Sequence, residues 1–205
     1  MRKILFILSI VFGTTAFAQV AQTTTEIDKT MRPALYATIK YPSKLTDDAL
    51  SNYLKGLGIK GGKNLKGWTL YEGALIEKIS VTRLDYYFKV EQNGKNKEES
   101  LIYLALSKGY SNFVDANTDS ELVSKATIWF DDLLAAVDQH KLSLDIVEAE
   151  KAYENAVKTY EKSVKEGENL AKQVEDNKKD QATKKDEMDK MKAAMDALKA
   201  RRATR

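Results

Sequence analysis

Two periodicities divide the chain. Up to about residue 110 apolar and polar positions alternate in short runs, and beyond it they recur every three or four residues. Leu35, Ala37, Ile39 and Tyr41 alternate with Tyr36, Thr38 and Lys40, which predicts a strand that Pro42 ends. Thr46 reads as an N-cap, with Asp47 and Asp48 in the first turn where the helix dipole favours negative charge. Leu50, Tyr53, Leu54 and Leu57 then predict an amphipathic helix over 46–57, stopped by Gly58, with 58–67 as a glycine–lysine loop. Strand signals resume over 68–71 and 75–81. Leu84, Tyr86, Phe88 and Val90 form one strand face, with Asp85, Tyr87, Lys89 and Glu91 on the other. Asn93-Gly94 is the expected hairpin turn into a return strand over 101–107. Its centre, 101–106, is apolar on both faces, which predicts an interior strand.

Thr118-Asp119-Ser120-Glu121 matches a capping box, with the hydroxyl at the N-cap and a carboxylate three residues on. The stripe Leu122, Ala126, Trp129, Phe130, Leu133 and Val137 predicts a helix packed on the sheet, with His140 at its end. Leu142 and Leu144 bracket an expected short link, and Ser143 is the expected next N-cap.

From Lys151 the apolar pattern repeats every seven residues without a slip. One seam position holds Tyr153, Tyr160, Gly167, Val174, Gln181, Met188 and Met195, and the other Ala156, Ser163, Leu170, Asn177, Lys184, Met191 and Leu198. Glutamates precede lysines by four residues at 154–158, 161–165, 168–172 and 175–179, each pair contributing about 0.2–0.5 kcal/mol to a helix. The association seam is therefore Tyr153, Ala156, Tyr160, Leu170, Val174, Met188, Met191, Met195 and Leu198. Val157, Val164 and Ala171 widen its first half, and 177–184 interrupt it with polar side chains. Three geometries fit: a straight helix paired with another chain, a hairpin folded back near Gly167 or 176–181, or a solvated lone helix.

Composition narrows the chemistry. Among 205 residues there is no cysteine, which excludes disulfides, thiol catalysis and cysteine-ligated metals, and one histidine, which excludes sites needing two imidazoles. Both prolines and nine of ten glycines lie before residue 110, so the first half reads as strands and turns and the second as helix. The net charge of +3 is spread without a concentrated basic footprint, so no nucleic-acid partner is expected.

The first eighteen residues carry Arg2 and Lys3, an apolar run over 4–12 and Ala16-Phe17-Ala18, the layout of a secretory signal cleaved between Ala18 and Gln19. Nine apolar residues are too few to span about 30 Å of hydrocarbon, and no cysteine follows for a lipid anchor. The expected destination is periplasmic or secreted. The expected layout is a cleaved signal over 1–18, a flexible polar lead over 19–32, an α+β domain over 33–142 and a helical segment over 143–205. The fold class is α+β: a mostly antiparallel sheet with one short helix and a packed helix, then a long heptad-patterned helix or helical hairpin.

Motifs for chemistry are weak. Residues 56–61 match G-x-G-x-x-G but close a helix instead of opening one, so they read as a stop and a loop. Asp131 and Asp132 are adjacent on a helix and diverge by about 100°. Lys95 and Lys97 read as solubility residues of a hairpin tip. No catalytic, cofactor or metal residue is expected, and the chain does not read as an enzyme. The first functional expectation is an interaction or structural protein of the cell envelope, whose helical segment self-associates or holds a protein partner. The alternative is a small-ligand or peptide-binding module with a pocket between the sheet and helix 118–139, lined by Trp68, Tyr86, Phe88 and Trp129. The layout is also similar in shape to periplasmic holdase chaperones with helical arms, which implies client holding.

Overall fold

The computed structural model describes residues 19–203; the expected signal lies outside the described residues. Six antiparallel strands form one sheet in the order β1-β2-β6-β5-β4-β3. The strands are β1 Ala21–Ile27, β2 Thr30–Ile39, β3 Lys63–Leu65, β4 Trp68–Ala74, β5 Leu84–Asn93 and β6 Asn96–Ser107. The helices are α1 Ser43–Gly56 and α2 Ser120–Ala203. The chain divides into two compact units, one up to Leu144 and one from Asp145.

In the first unit, the main core lies between one sheet face and the helices. Leu35, Ala37 and Ile39 of β2, Tyr86 and Phe88 of β5, and Ile102, Leu104 and Leu106 of β6 meet Ala49, Leu50 and Leu54 of α1. The whole predicted stripe of α2 joins them, from Leu122 to Val137. Strand β6 is interior, as its two apolar faces require, and Ala105 is buried on its far side.

Several elements differ from the sequence reading, each for a physical reason. The polar lead is in part a strand: β1 pairs with β2 from Ala21↔Tyr36 to Ile27↔Thr30. Its threonines suit an edge strand, and its turn uses Asp28 and Lys29 at φ 48° and 65° without glycine. Helix α1 starts at Ser43, three residues before Thr46. The Thr46 hydroxyl is buried and hydrogen-bonds the Ser100 hydroxyl on β6 at 2.8 Å, so it locks helix to sheet instead of capping. The glycine–lysine loop contains the short edge strand β3. Residues 75–81 are a turn, not a strand. Ile76 and Ile79 both enter the core, and the Ile79 amide closes the turn on the Ile76 carbonyl at 2.8 Å.

The β5–β6 loop is Gly94-Lys95, one residue later than expected, with Gly94 at φ +56° in the first loop position. The N-cap of α2 is Asp119, which accepts the Leu122 amide at 3.0 Å, while the Thr118 hydroxyl turns back to Asp115. No link interrupts α2 at 141–144, and His140 lies inside the helix. The Ser143 hydroxyl donates to the Gln139 carbonyl one turn back, at 2.9 Å, and so does not cap. There is likewise no break at Gly167 or 176–181, which removes the hairpin geometry.

Candidate functional site

The heptad seam is an exposed apolar stripe of the second unit. In the second unit every named seam residue is exposed, from Tyr153 at 72% and Tyr160 at 70% to Met191 at 73% and Leu198 at 64%. Helical order here comes from local pairs. Lys179 pairs with Glu175, Lys184 with Asp180, Lys185 with Asp189 and Lys190 with Asp186, all four residues apart. The Gln181 amide donates to the Asn177 side-chain carbonyl at 2.7 Å, so the polar interruption is ordered within the helix. A helix held by such pairs presents its apolar positions without needing them for its own folding.

Three of the four expected pocket liners come together, but as packed core, and the fourth lies on the other sheet face. Tyr86, Phe88 and Trp129 are packed in the main core, with Phe88 and Trp129 rings 6.0 Å apart. The space between sheet and helix 118–139 is filled by these rings and by Phe130, Leu133 and Val137. Burial raises the Tyr86 hydroxyl to about 12, so it stays protonated. Trp68 belongs to the opposite sheet face, with Ile27, Ala34, Tyr87 and Ala105.

That second face carries features the periodicity did not single out. The Lys89 ammonium lies 5.6 Å from the Tyr103 ring and 6.0 Å from the Trp68 ring, and it also pairs with Glu91. Tyr103 stacks on Tyr36 at 6.0 Å. Burial, helped by the Glu91 carboxylate, raises the Tyr103 hydroxyl to about 12. The Arg32 guanidinium covers the Phe113 ring at 4.8 Å. The cations are thus committed to rings and carboxylates of the same face, which makes it a small second core and not an open platform. Lys89 stands opposite Tyr103 across the β5–β6 hairpin, in a register set by the irregularity between Gln92 and Asn93 that the sequence did not announce.

A groove of about 790 Å³ runs beside the C-terminal end of α1, lined by Ile59, Lys60, Tyr71, Ile76 and Arg83 and floored by Trp129. A Cβ on Gly62 would stand 2.5 Å from a Thr69 methyl and 2.8 Å from the Tyr71 ring, so this glycine permits the close approach of the loop to β4. Several charges around the groove are paired. Lys63 binds Glu72, Lys78 binds Asp132 at 2.8 Å, and Arg83 donates to the Gly73 carbonyl at 2.8 Å. Among the described residues no group of three His, Asp or Glu side chains is placed to hold a metal ion, and no helix is long and apolar enough to cross a membrane.

No protein-family model, curated protein or solved structure matches the chain.

Proposed function

We propose that this is an exported, non-enzymatic interaction protein of the cell envelope whose long helix is its self-association element. One observation carries the reading. An unslipped seven-residue apolar seam lies on a single continuous helix, and its named side chains are exposed. A seam at this period wraps into a left-handed coiled coil when it meets another helix. Its methionines and leucine gain burial only through such a partner, on the order of 1.5–3 kcal/mol for each large side chain. The sheet unit supplies a separately packed body, and the signal pattern supplies the route of export.

The test is the absolute mass of residues 19–205 by light scattering after size exclusion over a concentration series. The expected mass exceeds one chain and falls to one chain in the double variant Met188→Glu/Met195→Glu. Both positions are exposed and outside the sheet unit, so the variant keeps the near-ultraviolet circular dichroism of the packed aromatics. A one-chain mass at every concentration overturns the reading.

A further inference from the structure

We infer that the seam takes a second copy of this chain, parallel and in register; this rests on the self-association reading above. Two observations point to it, and a third bears on the one layer that opposes it. The first is the charge beside the seam. Lys178, Lys185, Lys192 and Lys199 each follow one seam position, and Asp180 and Glu187 each precede the other. In a parallel in-register pair such flanking positions meet across the interface five residues apart. Asp180 then faces Lys185 of the other copy, and Glu187 faces Lys192, with Gln173 against Lys178 and Ala194 against Lys199. Among these flanking positions opposite charges meet twice on each side and like charges do not meet. An antiparallel pair centred on the seam instead sets Lys178, Lys185 and Lys192 against Ala171, Val164 and Val157 of the other copy, and gains none of these contacts.

The second observation is the polar interruption. In register, Asn177 meets Asn177 and Gln181 meets Gln181, so polar layers stay with polar layers. The antiparallel arrangement centred on the seam sets Val174 against Asn177 and Leu170 against Gln181, burying amides against aliphatic side chains. Buried asparagine at a seam position is a register device for this reason. The third observation concerns Lys184, a seam position that would face itself. Its ammonium is held 2.7 Å from Asp180 of the same helix, so the carboxylate that faces Lys185 of the other copy also offsets part of the charge of this layer.

The chain has no cysteine, so single cysteines report orientation without background. Residues 19–205 carrying Ser163→Cys are oxidised and compared with an equal mixture of Ser163→Cys and Met188→Cys chains, with the mass taken by light scattering. The expected result is a two-chain mass with most of the Ser163→Cys chain linked to itself. Linkage only between 163 and 188, or no linkage at 163 despite a two-chain mass, overturns the parallel register while leaving self-association intact. A mass above two chains overturns the pair. A one-chain mass overturns both this inference and the reading beneath it. Independently, Lys185→Glu/Lys192→Glu turns both facing pairs repulsive. Weakening of about tenfold or more is expected, and unchanged affinity overturns the charge argument.

Discussion

The indole N–H of Trp68 donates to the backbone carbonyl of Glu26 at 3.1 Å, although three strands separate β4 from β1 in the sheet. Beside it, Lys66 pairs with Asp28 at 2.6 Å. The two edge hairpins therefore meet over the face opposite the helices, which the twist and coil of an antiparallel sheet allow. This closure buries Trp68 to 2% exposure and shields the second core without a covering helix. Trp68→Phe keeps most of the apolar volume and removes the donor, so a loss of about 1–3 kcal/mol is expected. Trp68→Ala removes the packing as well, with an expected loss of about 3–5 kcal/mol. Urea denaturation followed by circular dichroism measures both, and stability equal to the parent's in both variants would show that the closure contributes nothing.

The Thr46–Ser100 pair ties α1 to β6 with two hydroxyls that are both fully buried. Removing one strands the other. Thr46→Val is expected to destabilise the fold by about 1–3 kcal/mol. Adding Ser100→Ala to it removes the orphaned hydroxyl and recovers part of that loss. A double-mutant cycle by denaturant unfolding checks this, with coupling of about 0.5–3 kcal/mol expected for direct partners and additive losses counting against the bond.

Acid stability should depend on Asp119. The Lys108 ammonium, hydrogen-bonded at 2.8 Å, and then the Leu122 amide hold its carboxyl below the usual range. A lowered folded-state value means a stabilisation present above the unfolded carboxylate value of about 4 and lost as pH falls through the lower folded value. Asp119→Asn retains a capping acceptor but no charge. Its melting temperature is expected below the parent's at pH 7, and the two should converge once the parent's carboxyl is protonated. A constant gap between them across the acid range would contradict the assignment.

How legible each element was depends on the sequence distance of its cause. The stripe Leu122 to Val137 and the heptads from Lys151 are local periodicities, and both are helical as the spacing implied, though on one helix and not two. The alternation of β5 was legible in the same way. The turn Asp28-Lys29 left no signature because neither residue is glycine, so β1 was taken for a flexible lead. Thr46 looked like a cap because hydroxyl, then acid, is the local grammar of a helix start; its true partner is 54 residues away. Of the expected liners, Tyr86, Phe88 and Trp129 share one core while Trp68 lies on the opposite face, and whether a face encloses a cavity depends on how rings from two elements interlock.

Repeat and charge along the chain thus sufficed for the helical state of 151–199 and for the distribution of lysine and acid beside the seam, but not for the continuity of α2 through 140–144 and 176–181, because each residue's position on a helix follows from its number alone while a break does not. Tertiary structure decided the rest of the first unit: the strand order, the meeting of the edge hairpins at Trp68 and Glu26, and the filling of the space under α2. Those outcomes turn on the pairing of strands and the curl of the sheet as a whole, energies summed over contacts between residues far apart in the chain.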